Sequence, residues 1–183
     1  AFYGLTGDVV AAIRPHTEAD DAALLINFLE GFGNAVGRGP HAVAEADRHG
    51  CNFFVVLVGD TAKGRKGSSW GHPRELFKRA DPSWASDHVA SGLSSGEGLI
   101  WAVRDPIERT VPVKDRVRAT GKYETIVEDQ GVADKRLLVV ESEFASPLRI
   151  MERNGNTLSP TIRQAWDMGD LRTLTQNSPA RAT

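Results

Sequence analysis

An uninterrupted apolar run that leads into a basic, glycine-rich loop is the feature that most constrains this chain. The stretch 53-FFVVLVGDTAKGRKGSSW-70 begins with six apolar residues, reaches Gly59 and ends in two serines before Trp70. A run that is apolar on both faces predicts a central strand of a parallel sheet covered by helices. Such a strand would bring the loop to one edge of the sheet, where the loop either binds phosphate or is a solvated turn.

The loop has the ingredients of a phosphate-binding loop, in a variant order. A nucleoside triphosphate needs backbone N–H groups, glycines that admit it, a lysine, and a hydroxyl for Mg²⁺. The usual spacing is G-x-x-x-x-G-K-[ST]. Gly59 and Gly64 have this spacing, but Arg65 stands where the lysine is expected. The other candidates for phosphate contact surround it: Lys63, Lys66, Gly67, Ser68 and Ser69. The alternative is a basic turn after a core strand.

A second apolar run ends in two acids. The stretch 137-LLVVESEF-144 predicts a buried strand in which Glu141 directly follows the apolar residues and Glu143 lies nearer the solvent. An acid at the end of such a strand can hold the water shell of Mg²⁺. We assign Glu141 to that task and Glu143 to a supporting or water-orienting role. The alternative is a core strand that merely ends in a carboxylate.

Glu97, in 94-SSGEG-98, is the third candidate, because flanking glycines would let its carboxylate reach into a site. A carboxylate that reaches into a site is a candidate catalytic group. The alternative is structural: Ser94 or Ser95 caps a helix, and Glu97 lies in its first turn, where the helix dipole favours it.

Strands and helices alternate along the chain, which predicts the α/β class. The first helix, over 18–37, places Ala22, Leu25, Leu29, Phe32 and Val36 on one apolar face. Strands are predicted over 41–47, 52–59, 87–93, 123–128 and 137–144, and further helices over 68–81, 94–106, 144–155 and 158–169. We expect one domain over 1–183, in which 1–50 is a helix-and-strand lead-in and 51–183 is the P-loop core.

Composition narrows the class of protein. The chain has 183 residues, a formal charge of −2 and 40% hydrophobic residues, as in an ordinary globular domain. No apolar run approaches the ~20 residues that cross a bilayer. A single cysteine, Cys51, excludes an internal disulfide and suits a reducing, cytoplasmic location. The chain begins at Ala1 and stops just after a turn-like segment, so we expect it to be part of a longer protein.

Four stretches together resemble one protein family: 55–72, 91–106, 136–145 and 156–179. The family comprises RecA-like ATPase domains of primase–helicase-type replication proteins from bacteria, phages and integrated elements. The resemblance extends over nearly the whole chain from about residue 5. It implies a RecA-like P-loop NTPase core, a largely parallel sheet flanked by helices, with ATP and Mg²⁺ bound and a helicase role in a ring of subunits.

The resemblance also implies residue roles. Lys66 would be the phosphate lysine, Ser68 or Ser69 the metal hydroxyl, Glu97 the catalytic glutamate, and Glu141 or Glu143 the acid of the second strand. The sequence departs from the family in its loop and in having Glu where Asp is usual. It also ends before the further strand that senses the γ-phosphate in such domains, so we expect a core truncated at its C-terminal end.

Two weaker sets of candidates remain. Arg163, Arg172 and Arg181 could each act across a subunit boundary as an arginine finger, or be surface residues and salt-bridge partners. The stretch 109-RTVPVKDRVRATGK-122 carries five cations against one acid, which favours either a loop that contacts single-stranded DNA or a solvated, mobile loop.

Three functions follow from these features. The first is an ATP-binding and ATP-hydrolysing motor domain of a DNA replication protein. The second is a nucleotide-binding regulatory or scaffolding module with little hydrolysis. The third is a small-molecule kinase, although the sequence has no evident lid or acceptor-base motif.

Overall fold

The chain forms two compact units that interleave along the sequence. The structure is a computed structural model that describes residues 2–59, 66–115, 118–167, 169–174 and 180–183, without the side chains of 66, 114–115 and 118–120. The first unit comprises Ala1–Gly92 and Arg136–Leu148, and the second comprises Leu93–Lys135 and Arg149–Thr183. The expected single domain, with a lead-in over 1–50 and a P-loop core over 51–183, stays a prediction.

The described elements are mixed helix and strand. The helices are α1 (Gly4–Ile13), α2 (Asp21–Val36), α3 (Gly71–Ala80), α4 (Pro82–Asp87), α5 (Gly96–Ala102), α6 (Ala145–Met151) and α7 (Leu158–Asp167). The strands are β1 (His41–Ala44), β2 (Asp47–Gly50), β3 (Val89–Ala90), β4 (Ile107–Asp115), β5 (Arg118–Asp129), β6 (Leu138–Val139), β7 (Leu171–Arg172) and β8 (Arg181–Ala182). Among the described residues they pair into four two-stranded sheets, of which β3–β6 is parallel and the others antiparallel. The RecA-like core stays a prediction.

The core of the first unit is an aromatic cluster between α2, α3 and α4. Phe77 stacks on Phe28 at 5.7 Å between ring centroids and meets the edge of Trp84 at 5.3 Å. All three side chains are buried. Aromatic pairs at these distances stabilise a fold by about 0.5–1.5 kcal/mol each beyond the burial of their area. The cluster therefore fixes α3 and α4 on α2.

Helix α2 confirms the helix predicted over 18–37, but its buried face differs from the predicted one. The carboxylate of Asp20 caps the helix by accepting the N–H of Ala22 at 2.8 Å. Phe32 and Val36, expected inside, are 42% and 38% exposed. The buried positions are instead Ala23, Leu24, Leu25, Asn27, Phe28, Gly31 and Gly33. The apolar spacing predicted the helix correctly but misplaced the middle of its buried face, because small and amide residues occupy part of that face.

Strand β1 confirms only the first part of the strand predicted over 41–47. The chain turns at Glu45, which has a positive φ of 55° and lies inside the predicted strand. The chain then returns as β2, which pairs with β1 from His41↔Gly50 to Ala44↔Asp47. The hairpin thus closes before the apolar run begins.

The predicted buried central strand over 52–59 is wrong for this structure. Residues 52–59 belong to no strand, and Phe53, Phe54 and Val56 are each about half exposed. Val55 and Leu57 are half-buried between exposed neighbours, so a two-residue alternation persists. An apolar run becomes a central strand only where other strands flank it, and β2, which the sequence leads one to expect beside it, pairs with β1.

The parallel pair β3–β6 lies in the first unit. Leu138 N–H donates to His88 O at 2.8 Å, and Val140 N–H donates to Ala90 O at 2.9 Å. The strands predicted over 87–93 and 137–144 are thus both present, each shorter than predicted, and the structure pairs them with each other. Arg136 fastens the start of β6, because one guanidinium nitrogen donates to Ala35 O at 2.7 Å and to Asp81 Oδ2 at 2.8 Å.

The second unit contains a long antiparallel ribbon, β4–β5, and the packed helices α5 and α7. Strands occupy 109–115 and 118–122, where a loop was expected, and β5 includes the strand predicted over 123–128. Its root is held by Arg104, which makes two hydrogen bonds to the Asp129 carboxylate at 2.9 and 2.8 Å. Lys135 binds the same region by donating to Val103 O, Arg104 O and Asp105 Oδ1.

In the part of the chain that the structure describes, no helix is both long enough and apolar enough to cross a membrane.

Glu30 of α2 gives a pH-dependent prediction. Burial raises the pKa of this carboxyl from 4.5 to about 7. Because the folded pKa exceeds the unfolded value, the contribution of Glu30 to the free energy of unfolding is fully present below about pH 4.5. This contribution is lost as the pH rises through 7. Glu30→Gln should therefore increase the free energy of unfolding at pH 8 by about 1–2 kcal/mol, a value discounted for partial solvent exposure.

Urea denaturation at pH 4 and pH 8 measures this effect. The Gln variant and the parent should be equally stable at pH 4. Asp8, exposed on α1, is the matched control, and Asp8→Asn should change the stability by less than about 0.5 kcal/mol at either pH. Equal stability of Glu30→Gln and the parent at pH 8 would refute the prediction.

Candidate functional site

The described end of the predicted phosphate loop is a short 3-10 turn, Lys66–Ser68, that precedes α3. A Cβ added at Gly67 would meet no heavy atom within 4 Å. Packing therefore does not require glycine here, and the backbone is open to a ligand. Gly59 is exposed and belongs to no strand. Lys63, Gly64, Arg65 and the side chain of Lys66 lie outside the described residues.

The two serines of the loop differ in their surroundings. Ser69 is 0% exposed, and its hydroxyl accepts a hydrogen bond from the side-chain amide of buried Asn27 at 2.8 Å. Ser68 is exposed. Ser69 thus joins the loop to α2, while Ser68 is the hydroxyl that solvent, and a solvated metal ion, can reach. This arrangement favours Ser68 over Ser69 as the candidate metal ligand.

Helix α3 presents an N-terminus without a side-chain cap. Trp70 is its N-cap residue and makes no capping hydrogen bond from its side chain. Its ring packs instead on Phe77, at 6.3 Å between centroids. The first N–H groups of a helix carry a partial positive charge that favours an anion. Pro73 is the third residue of α3, in the first turn, where a proline is tolerated.

Glu141 lies at the carboxyl end of β6 and reaches the end of β3. Its Oε1 accepts the backbone N–H of Gly92 at 2.6 Å. Gly92 has a φ of +86°, a conformation that side chains other than glycine rarely adopt. In parallel sheets, ligands bind beyond the carboxyl ends of the strands. The glutamate is half-buried at that edge.

Glu143 is exposed, and its carbonyl oxygen accepts the N–H of Ser146 at the start of α6. The predicted order of depth, with Glu141 deeper than Glu143, is confirmed. The side chain of Lys66, which a bound phosphate would bring near Glu141, lies outside the described residues, so the assignment of the metal to Glu141 stays a prediction.

Glu97 lies in the first turn of α5, in the second unit. Ser95 caps this helix by accepting the N–H of Gly98 at 3.0 Å, which confirms the structural alternative for the serine. The Glu97 Oε2 accepts a hydrogen bond from the Thr157 hydroxyl at 2.7 Å. The N-terminus of α5 lies close to Thr157, because a Cβ at Gly96 would come within 2.6 Å of the Thr157 Oγ1.

The three arginines proposed as fingers are all on exposed positions of the second unit. Arg181 lies 3.7 Å from Asp105 Oδ2, as a salt-bridge partner would. Arg172 pairs with Arg181 across β7–β8 and lines a cleft of about 390 Å³ together with Thr157 and Gln164 of α7. The finger role stays a prediction for each of them.

Sequence patterns missed the residues that support the candidate site. Asn27 holds Ser69, the Gly92 N–H holds Glu141, and Thr157 holds Glu97. One signal was available: Asn156 precedes Thr157, and its side-chain oxygen accepts the N–H of Leu158 at 2.8 Å, as a helix-capping asparagine does.

The contrast between the two serines gives a testable prediction. Ser69→Ala should leave the buried Asn27 amide without its acceptor and lower the free energy of unfolding by about 1–3 kcal/mol. Ser68→Ala should stay within about 0.5 kcal/mol of the parent, because its side chain is exposed. Urea denaturation of both variants measures the difference. Equal losses of stability would contradict the separation of the two roles.

Comparison with protein-family models, with curated proteins and with solved structures finds no match to this chain.

Proposed function

We propose that this chain is the ATP-binding and ATP-hydrolysing motor domain of a primase–helicase-type DNA replication protein. A cytoplasmic location, single-stranded DNA as a partner and a ring of identical subunits belong to the same proposal. The observation that carries it is the parallel pair β3–β6, because it gives an acid, Glu141, at the carboxyl end of a strand. That is the position from which an acid serves a bound nucleotide in a parallel sheet.

The loop residues would bind the phosphates. Lys66 supplies charge, the open backbone at Gly67 admits the ligand, and the uncapped N-terminus of α3 adds its positive end. The earlier loop residues, Lys63 to Arg65, complete the set in the sequence. A loop with three cations in its sequence, followed by a helix N-terminus, suits a polyanion such as a triphosphate.

The oxygen donors fit Mg²⁺. Ser68 is an exposed hydroxyl and Glu141 a half-buried carboxylate, and Mg²⁺ prefers hydroxyl, carboxylate and water oxygens. When bound, Mg²⁺ neutralises charge that develops on the transferred phosphoryl group. Glu141 would contact its water shell, with Glu143 in support.

Glu97 is the proposed catalytic carboxylate, which orients the attacking water. The Thr157 hydroxyl donates to it, and such a donor favours the ionised carboxylate that this task requires. The same hydrogen bond also favours the second function, a regulatory or scaffolding module, because it gives Glu97 a structural role beside the Ser95 cap. Turnover separates these two functions.

Binding of Mg·ATP is the first test. A ligand at 100 times its dissociation constant stabilises the folded state by about 2.7 kcal/mol, so millimolar Mg·ATP should raise the melting temperature by several degrees. Lys66→Ala should abolish this increase without lowering the melting temperature of the nucleotide-free protein. Arg79→Ala, at the opposite end of α3, is the matched control and should retain it. A melting temperature that Mg·ATP leaves unchanged would refute the proposal.

Hydrolysis by Glu97 is the second test. Because a water-orienting carboxylate acts in the transition state, Glu97→Gln should lower kcat by about 10²–10⁴-fold and leave the Mg·ATP melting shift intact. Phosphate release, measured with and without single-stranded DNA, gives the rates, and DNA stimulation would distinguish a motor from a kinase. If the parent binds Mg·ATP but releases no phosphate, the regulatory function is correct. If Glu97→Gln hydrolyses at the parent's rate, Glu97 is not catalytic.

A further inference from the structure

The connection between α6 and α7 contains the one Asn-Gly pair of the sequence, Asn154–Gly155. It forms a turn in which the N–H of Asn156 donates to Arg153 O at 3.1 Å. Gly155 has a φ of +76°, the conformation that the third position of a type II turn requires. Asn154 and Gly155 are both exposed, and a Cβ added at Gly155 would meet no heavy atom within 4 Å. The pair is therefore open to solvent and has space around it.

The two residues of the pair can react with each other. Asparagine is thermolabile, because the backbone nitrogen of the next residue can attack its side-chain carbonyl carbon. A glycine at the next position leaves this nitrogen unhindered and lets the backbone rotate into the geometry of attack. In the part of the chain that the structure describes, no hydrogen bond engages the Asn154 side chain or the Gly155 N–H. Neither reacting group has to leave such a partner first.

The two residues that follow the turn form the junction of α5 and α7. The Asn156 side chain donates to Ser94 O at 3.2 Å and accepts the N–H of Leu158 at 2.8 Å. The Thr157 hydroxyl donates to Glu97 Oε2 at 2.7 Å. Because Asn156 and Thr157 come directly after the turn, these bonds depend on the path of its backbone. A change in that path would displace both residues.

We propose that Asn154–Gly155 is a site of spontaneous covalent modification, at which loss of the side-chain amide loosens the junction of α5 and α7. The Gly155 nitrogen forms a bond to Cγ of Asn154, the bond from Cγ to Nδ2 breaks, and the Gly155 amide proton leaves with Nδ2 as ammonia. Water then opens the resulting succinimide ring. Opening at Cγ gives aspartate, and opening at the backbone carbonyl carbon gives isoaspartate. Asparagine and water thus become an acid and ammonia, without an oxidant.

The two products differ in what they do to the backbone. In the isoaspartyl form the chain runs through Cβ and Cγ of residue 154, which adds one carbon atom to the turn and leaves the old backbone carbonyl as a free carboxylate. The aspartyl form gains the same negative charge and keeps the backbone. The isoaspartyl form should therefore displace Asn156 and Thr157, and the aspartyl form should leave them in place. Neither ATP nor DNA takes part, so the modification is independent of the proposed function.

Incubation of the nucleotide-free protein at neutral and alkaline pH, followed by mass spectrometry of its peptides, tests the site. Asn154 should exchange its NH₂ for OH, and the rate should increase with pH because the attacking nitrogen must lose its proton. Gly155→Ala, whose Cβ crowds that nitrogen, should slow the exchange at least about tenfold, or ~1.4 kcal/mol in the barrier. Asn156 and Asn34, whose side chains are hydrogen-bonded and which no glycine follows, are internal controls and should keep their amides.

The melting temperatures of the separated products test the effect on the junction. Ion exchange separates the products from the parent, because each product carries one more negative charge. The isoaspartyl form should melt about 2–4 °C below the parent, as expected for the loss of a helix cap in a chain of this size. Asn154→Asp has the charge without the longer backbone and is the matched control. It should melt within about 1 °C of the parent.

Three results would overturn the proposal. The first is a folded protein that keeps the Asn154 amide while a free peptide over 149–160 loses it, because the turn would then protect the pair. The second is ammonia release that persists in Asn154→Ser, a variant that retains the turn without the amide and does not depend on the folding of Gly155→Ala. The third is an isoaspartyl form that melts with the parent, which would refute the loosening of the junction.

Discussion

The contact between Phe77 and Gly31 is the constraint on which the first unit depends. A Cβ at Gly31 would lie 2.4 Å from a ring carbon of Phe77, so only glycine lets α3 approach α2 this closely. Because α3 directly follows the predicted phosphate loop, this approach also determines where the loop ends. Asn27, one turn before Gly31, meets Ser69. Asn34, one turn after it, accepts the Trp84 indole N–H at 2.9 Å and donates to Leu137 O at 2.9 Å. One stripe of α2 therefore positions both the end of the loop and the start of the acidic strand.

This stripe explains why the sequence predicted the helix but not its packed face. Amphipathic analysis assigns apolar residues to the interior, and it placed Phe32 and Val36 there. Asparagine and glycine count against burial in such an analysis, yet Asn27, Gly31 and Asn34 recur at the four- and three-residue spacing of one helix face. Their role depends on the partners that reach them, and those partners are 42 to 103 residues away in the chain. No local window contains that information.

The candidate site could be predicted only in part, because some of its features follow from local sequence and others from partners far away in the chain. The depth order of Glu141 and Glu143 follows from local pattern, since Glu141 ends the apolar run and Glu143 precedes a helix. The separate roles of Ser68 and Ser69 do not follow from pattern, because adjacent serines have the same chemistry and differ only in what α2 presents to them. For the apolar run at 53–58, local pattern led to a wrong prediction. Its composition predicts a buried strand, but strand burial depends on neighbours that the composition does not specify.

Charge in the second unit shows how an average can conceal a local separation. The net charge of −2 predicts no nucleic-acid surface. Along β4–β5, however, the acid Asp129 is neutralised by Arg104 at the root, and Asp105 is paired with Lys135 at 2.7 Å beside it. The charged groups at the root are thus paired with one another, and these ion pairs hold the ribbon in place. In the sequence, the stretch 109–122 carries five cations and one acid. The field near any one segment depends on the charges within about a Debye length of it, and the total charge of the chain does not report how those charges are distributed.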